Sequence, residues 1–160
     1  MKSNHHEVDV LDLYRDGFDP VYSAEDEQDW QHTDKTYAPH IRKEMDRVLD
    51  ADALVFVFPI WWYRVPAMLK GYLDKVWNMG LFGQVSTKQV LWIALAGGSE
   101  RVFDKYNYTH MITDYLNNGI AGYAGLQDST VEFLYDTLSD SDEHIAGLLE
   151  QAYQLGENYN

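Results

Sequence analysis

Positions 59–64 read Pro-Ile-Trp-Trp-Tyr-Arg, directly after the unbroken apolar run "ALVFVF". Trp61, Trp62 and Tyr63 thus stand where a chain leaving a buried strand normally turns polar. A second apolar run, "QVLWIALA", stops at Gly97 and Gly98. Flat rings on one loop and bare backbone on the other can do something specific together. The rings offer apolar walls, and glycine lets a ligand approach closely enough to take backbone N–H bonds. That combination suits a planar heterocycle with polar edges, such as a flavin or a nicotinamide. The competing expectation is that the three rings are core, packed on the helix that follows. Residue types alone do not separate the two.

Other reactive side chains make weaker patterns. The six histidines include His5, His6, His32, His40, His110 and His144 and show no metal-ligand spacing, so they read as surface residues and no metal is expected. "DSDEH" at 140–144 imitates the start of a calcium loop but lacks its glycine and closing glutamate, and a capped helix explains it better. Ser99 follows two glycines without the context of a hydrolase nucleophile. Lys70 and Asp74 are spaced to support one helix face.

Composition narrows the classes. The chain has 160 residues, enough for one domain, and 46% hydrophobic content, enough to fold. With no cysteine, disulfides, thiol nucleophiles and thiolate metal sites are excluded. This fits a cytoplasmic protein. A net charge of −14 repels nucleic acid and anionic membranes. The longest apolar run, Ala53–Trp62, is about half a membrane span, and "MKSNHHEVDV" has no signal-peptide core.

The elements that must position the two loops follow from periodicity. Residues 7–13, "EVDVLDL", alternate as a short strand. Residues 14–38 read as a long surface connection. Pro39 opens a helix whose Ile41, Met45, Val48 and Leu49 share a face. "ALVFVFP" reads as a strand buried on both sides, which is the mark of a parallel sheet under helices. Pro66 starts the next helix, with Met68, Leu69, Tyr72, Leu73, Val76 and Trp77 inward, and Gly80 ends it. "QVLWIALA" is a second such strand. "THMITDYLNNG" is a helix closed by a left-handed Asn118-Gly119 stop. "TVEFLYDTL" is a further strand, and a last helix follows, with Asp140 and Glu143 in capping-box spacing. This is an α/β doubly wound parallel sheet with four recognisable strands in a single domain, 1–160. Ligands in such sheets bind beyond the carboxyl ends of the strands, where the two loops lie.

"FPIWWYRVPAMLKGYLDKVWNMG" resembles the signature of the flavodoxin-like NAD(P)H:quinone oxidoreductases, the group that includes modulator-of-drug-activity-B-like proteins and the ancillary proteins of potassium efflux systems. Phe58, Pro59, Trp62, Pro66, Leu69, Lys70, Gly71, Asp74, Lys75 and Val76 match it. "LAGGS", "YNYTHMI", "GIAGYAGL" and "EVDVLDLYRDGFDP" extend the likeness over most of residues 6–135. The resemblance implies that Pro59, Ile60, Trp61, Trp62 and Tyr63 line an isoalloxazine, with Ala96, Gly97 and Gly98 at its pyrimidine edge. It makes Trp62, Tyr63 and Phe82 the substrate pocket, and places Tyr106 beside the ring as a catalytic residue. It implies a flavin cofactor, FAD slightly preferred over FMN, and ping-pong transfer from NAD(P)H to a quinone or related small acceptor, by a homodimer.

Three departures stand out. The family's sheet runs 2-1-3-4-5, and its first, central strand carries a phosphate-holding loop. Here Met1–His6 lead straight into what resembles the second strand, and no GxGxxG or GxxxxGK replaces that loop. The chain therefore reads as N-terminally truncated relative to the family; a start upstream of the one given is the favoured expectation, ahead of a shortened relative or a fragment. Leu95-Ala96 stand where the family often has two threonines, and "GLFGQVSTK" is short, with Phe82 as its remaining aromatic. Two other functions stay open: a non-catalytic regulatory module on the same fold, and a carbohydrate-binding domain using the Trp pair, which the alternation of strands and helices disfavours.

Overall fold

The computed structural model describes residues 6–27, 35–78 and 81–159. The elements run α1 (Pro39–Asp50), β1 (Ala53–Pro59), α2 (Ala67–Val76), β2 (Gln89–Leu95), α3 (Glu100–Lys105), α4 (Tyr108–Asp114), a π-helix (Tyr115–Gly122), β3 (Asp128–Leu134) and α5 (Asp142–Glu157). The strands form one parallel sheet in the order β1-β2-β3. In register, Pro59 pairs with Leu95 and Leu95 with Leu134, so all three strands end level at one edge.

Two clusters hold the layers. Phe58, Val90, Trp92, Ala94 and Phe133 face Ile41, Met45, Leu69, Leu73, Val76, Ile112 and Leu116 from the helices on one side. Trp92 is fully buried, stacked on Phe56 at 4.6 Å, and its indole N–H donates to Ser129 Oγ at 3.0 Å. On the other side Leu91, Ile93 and Leu134 pack under α5 through Leu148, Ala152 and Leu155. The Tyr159 hydroxyl donates to Leu54 O, and burial pushes its pKa up to about 12.

The structure corrects several expectations. The sheet has three strands among the described residues, not four. Residues 7–13 make no sheet hydrogen bonds; Asp12 instead accepts from the Tyr14 and Arg15 N–H groups, and Asp9 is held by Arg47 of α1 at 2.7 Å. Leu11 and Leu13 still reach the core, so the alternation records one buried face rather than pairing. β1 is only half-buried: it pairs on one side alone, and Val57 is 62% exposed. Asn118-Gly119 does not stop the fourth helix. Buried Leu116, Ala121 and Ala124 draw it onward through the π-helix, and the left-handed stop comes at Gly125, φ 94°. The strand read at 130–138 ends at Leu134. Ser141, not Asp140, caps α5, its Oγ accepting from His144 N–H. α2 ends at Trp77 as its C-cap, and the stop expected at Gly80 lies outside the described residues, as do His5 and His32.

Candidate functional site

β1 and β2 are neighbours, so the loops that leave them lie side by side, joined by the Ile60 N–H donating to Leu95 O at 2.8 Å. The first loop folds back at once. Trp61 and Arg64 exchange two backbone hydrogen bonds, both 3.0 Å, and the residues between them, Trp62 and Tyr63, have φ of 49° and 59°. A two-residue turn with both centres left-handed normally takes Asn-Gly. Two bulky aromatics there cost on the order of 1–3 kcal/mol each.

The turn divides its rings between two uses. Tyr63 goes inward: it stacks on Tyr108 at 3.8 Å and meets Phe103 edge-on at 6.0 Å, beside Phe133 and Tyr135. For this ring the core expectation holds. Its bond to Tyr63, followed by burial, raises the Tyr108 hydroxyl pKa. Trp61 and Trp62 go outward, 63% and 93% exposed. Leaving an indole of roughly 200 Å² in water forgoes on the order of 5 kcal/mol of burial. The fold therefore gains nothing from Trp62 and is strained by its backbone.

Arg64 fixes the far side of the turn. Its guanidinium donates to Tyr63 O at 3.0 Å and lies 4.8 Å over the Tyr115 ring at the head of the π-helix. Burial raises the Tyr115 pKa, against the lowering pull of Lys70 and Arg64.

On the second loop Ala96 is fully buried, Gly97 exposed and Gly98 half-buried. Their carbonyls are used: Ala96 O accepts from Thr137 N–H and Gly98 O from Asp136 N–H. The N–H groups of Gly97, Gly98, Trp62 and Tyr63 have no acceptor among the described residues. Backbone donors left open at the carboxyl edge of a parallel sheet, beside an exposed indole, fit the polar edge and flat face of a flavin ring. α3, which follows the second loop, carries Glu100 in its first turn, a charge that works against an anion at that helix end.

Pro59, Ile60, Trp61, Trp62, Tyr63, Ala96, Gly97 and Gly98 thus come together. Tyr106 is nearby, as the C-cap of α3, 54% exposed and stacked on Tyr108 at 5.5 Å. Phe82 is not with them. It lies before β2, edge-on to Tyr123 at 5.3 Å in a groove shared with Trp77 and Tyr115, the ring on which Arg64 rests. Tyr108 and Arg64 were not singled out in the sequence, although Arg64 closes the aromatic loop and Tyr108 lies in the segment "YNYTHMI". Among the described residues no three His, Asp or Glu gather into a metal-holding group, and no helix is long and apolar enough to cross a membrane.

The profile of the Flavodoxin_2 family, described as flavodoxin-like fold, matches residues 1–155. The chain is 43% identical over 143 residues to the uncharacterized NAD(P)H oxidoreductase YcaK of Escherichia coli, covering 87% of this chain and 72% of that one. It is 27% identical over 167 residues to the FMN-dependent NADH:quinone oxidoreductase of Caldicellulosiruptor saccharolyticus, covering 96% and 82%. The structure superposes on NAD(P)H:quinone oxidoreductase from Methanothermobacter marburgensis with a TM-score of 0.88 and 26% identity, covering 98% of this chain and 81% of that one. With the signature, the parallel sheet and the paired loops in agreement, the chain belongs to the flavodoxin-like fold family.

Proposed function

We propose that the protein is a flavin-dependent NAD(P)H oxidoreductase acting on quinones or related small acceptors. The observation that carries this reading is the pairing of outward Trp61 and Trp62 with the open Gly97 and Gly98 amides on neighbouring loops. A flavin held there would supply hydride chemistry: two electrons and one proton from NAD(P)H, passed on with a second proton from solvent to turn a quinone into its hydroquinone. The chain's own residues hold and orient. The Gly97 and Gly98 amides donate to the ring's carbonyl edge, where negative charge grows on reduction. Trp62 offers the stacking wall and Tyr63 supports it from below. Tyr106 stands beside the ring as the catalytic hydroxyl.

FAD is the preferred flavin on the family resemblance, and the FMN-dependent relative makes FMN the comparison to run. A homodimer is the proposed assembly, supported by the apolar groove of Trp77, Phe82, Tyr115 and Tyr123. Residues 1–160 are read as one domain, with β1's free edge where the family's first strand would lie. That the sequence holds no GxGxxG or GxxxxGK favours a second reading, a regulatory module with weakened flavin binding.

Titrating FMN and FAD, then adding NADH or NADPH without oxygen and a quinone afterwards, separates the two. Binding, bleaching of the flavin band and its recovery support the enzyme. Binding without bleaching supports the module, and no binding at all overturns the flavin reading.

A further inference from the structure

The carboxyl edge carries a third loop, after β3, and it reaches back over the second. Asp136 N–H donates to Gly98 O at 3.1 Å and Thr137 N–H to Ala96 O at 3.0 Å, so the chain follows the glycine loop past the end of the strands. Asp136 then turns with φ 53°, and the Ser139 N–H closes the turn on Asp136 O at 3.0 Å. This places Leu138 directly on Gly97. A Cβ built at Gly97 would stand 2.9 Å from Leu138 Cδ1 and 3.3 Å from its Cγ.

Packing does not account for that leucine. It is 82% exposed, which with Trp62 at 93% makes these the two most exposed large apolar side chains among the described residues. Both belong to loops that leave the strands on either side of β2, whose ends stand two strand spacings, about 10 Å, apart. Between them lies the glycine backbone with its open N–H groups.

We infer that Leu138 is an apolar cover for the hydrogen bonds that Gly97 and Gly98 give to a bound flavin. This rests on the flavin reading above. With a ring edge seated on the amides, Leu138 closes over that edge and keeps water from competing for the same donors.

The test is an FMN titration of the full chain, followed by fluorescence quenching, on wild type, Leu138→Ala and Leu138→Met, with thermal melting alongside. Leu138→Ala should melt as wild type does and bind FMN about tenfold more weakly, the loss expected when one aliphatic contact leaves a ligand. Leu138→Met should restore most of the affinity. Equal affinity in wild type and Leu138→Ala overturns the inference and leaves the flavin reading standing. So does equal weakening in both variants, which would mark a general disturbance of the loop. A wild-type protein that takes up neither FMN nor FAD in the same titration overturns both.

Discussion

Trp62 combines a backbone conformation that its side chain disfavours with an exposure that its indole disfavours. Replacing it by glycine removes both costs. Trp62→Gly should raise stability by about 1 kcal/mol in urea unfolding, because φ 49° is free for glycine. The same variant should raise KM for the quinone severalfold, since the stacking wall is gone. A residue that harms the fold and helps the reaction separates these two readouts, and a merely structural tryptophan would lower both stability and activity. At this scale the sequence was readable where the residue type is itself the signal, as in three adjacent aromatics or a glycine pair. It was silent on Leu138. That leucine lies in "TVEFLYDTL", which looks like strand to its end, and only the left-handed turn at Asp136 takes it out of the strand and onto Gly97.

At the scale of elements, α2 is anchored to the segment before α1 by two tight contacts. Gly71 meets Pro20 so closely that a built Cβ would lie 2.4 Å from the Pro20 carbonyl oxygen and 2.6 Å from its Cα. Backbone cannot give way there as a side-chain tip can, so Gly71→Ala should cost about 2–3 kcal/mol in chemical unfolding. One turn further on, buried Lys75 pairs with buried Asp26 at 3.3 Å and donates to Val21 O at 3.0 Å. Burial alone would raise the Asp26 pKa; the bonds from the Ser23 hydroxyl and N–H and from Lys75 outweigh it and leave the carboxyl below its ordinary 3.8. A depressed carboxylate stabilises the fold above that value and loses its contribution as pH falls through the lower folded one. Asp26→Asn should therefore be less stable than wild type by about 3 kcal/mol at neutral pH, because a buried ammonium is left half-partnered. The two unfolding curves should draw together as pH falls through the lowered folded-state pKa of Asp26. The sequence made β1, β2, β3, α1, α2 and α5 legible because their apolar residues repeat with the right period. It misled at Asn118-Gly119. Asn118 Nδ2 donates to Asp114 Oδ1 at 2.6 Å and the Ser129 hydroxyl to Asn117 Oδ1 at 2.7 Å, so side chains that usually end a helix here carry it into its wider turn.

At the scale of the molecule, the two outer strands are unlike. β3 carries Asp128, Ser129, Thr130 and Glu132, polar residues that guard an edge. β1 is Ala-Leu-Val-Phe-Val-Phe-Pro, with no charge among its seven residues, and its outer side pairs with nothing among the described residues. Val57→Lys should therefore lower the protein's tendency to associate, read by sedimentation velocity at increasing concentration, while leaving the FMN affinity of the Gly97–Gly98 loop as it was. A protein with two adhesive edges can add copies without end and grow into a fibre. Among the described residues only the β1 edge is apolar, and a contact that joins it to its own copy uses up both at once. Whatever self-association β1 drives is thus closed by symmetry at two molecules, and the fold carries its own chain terminator.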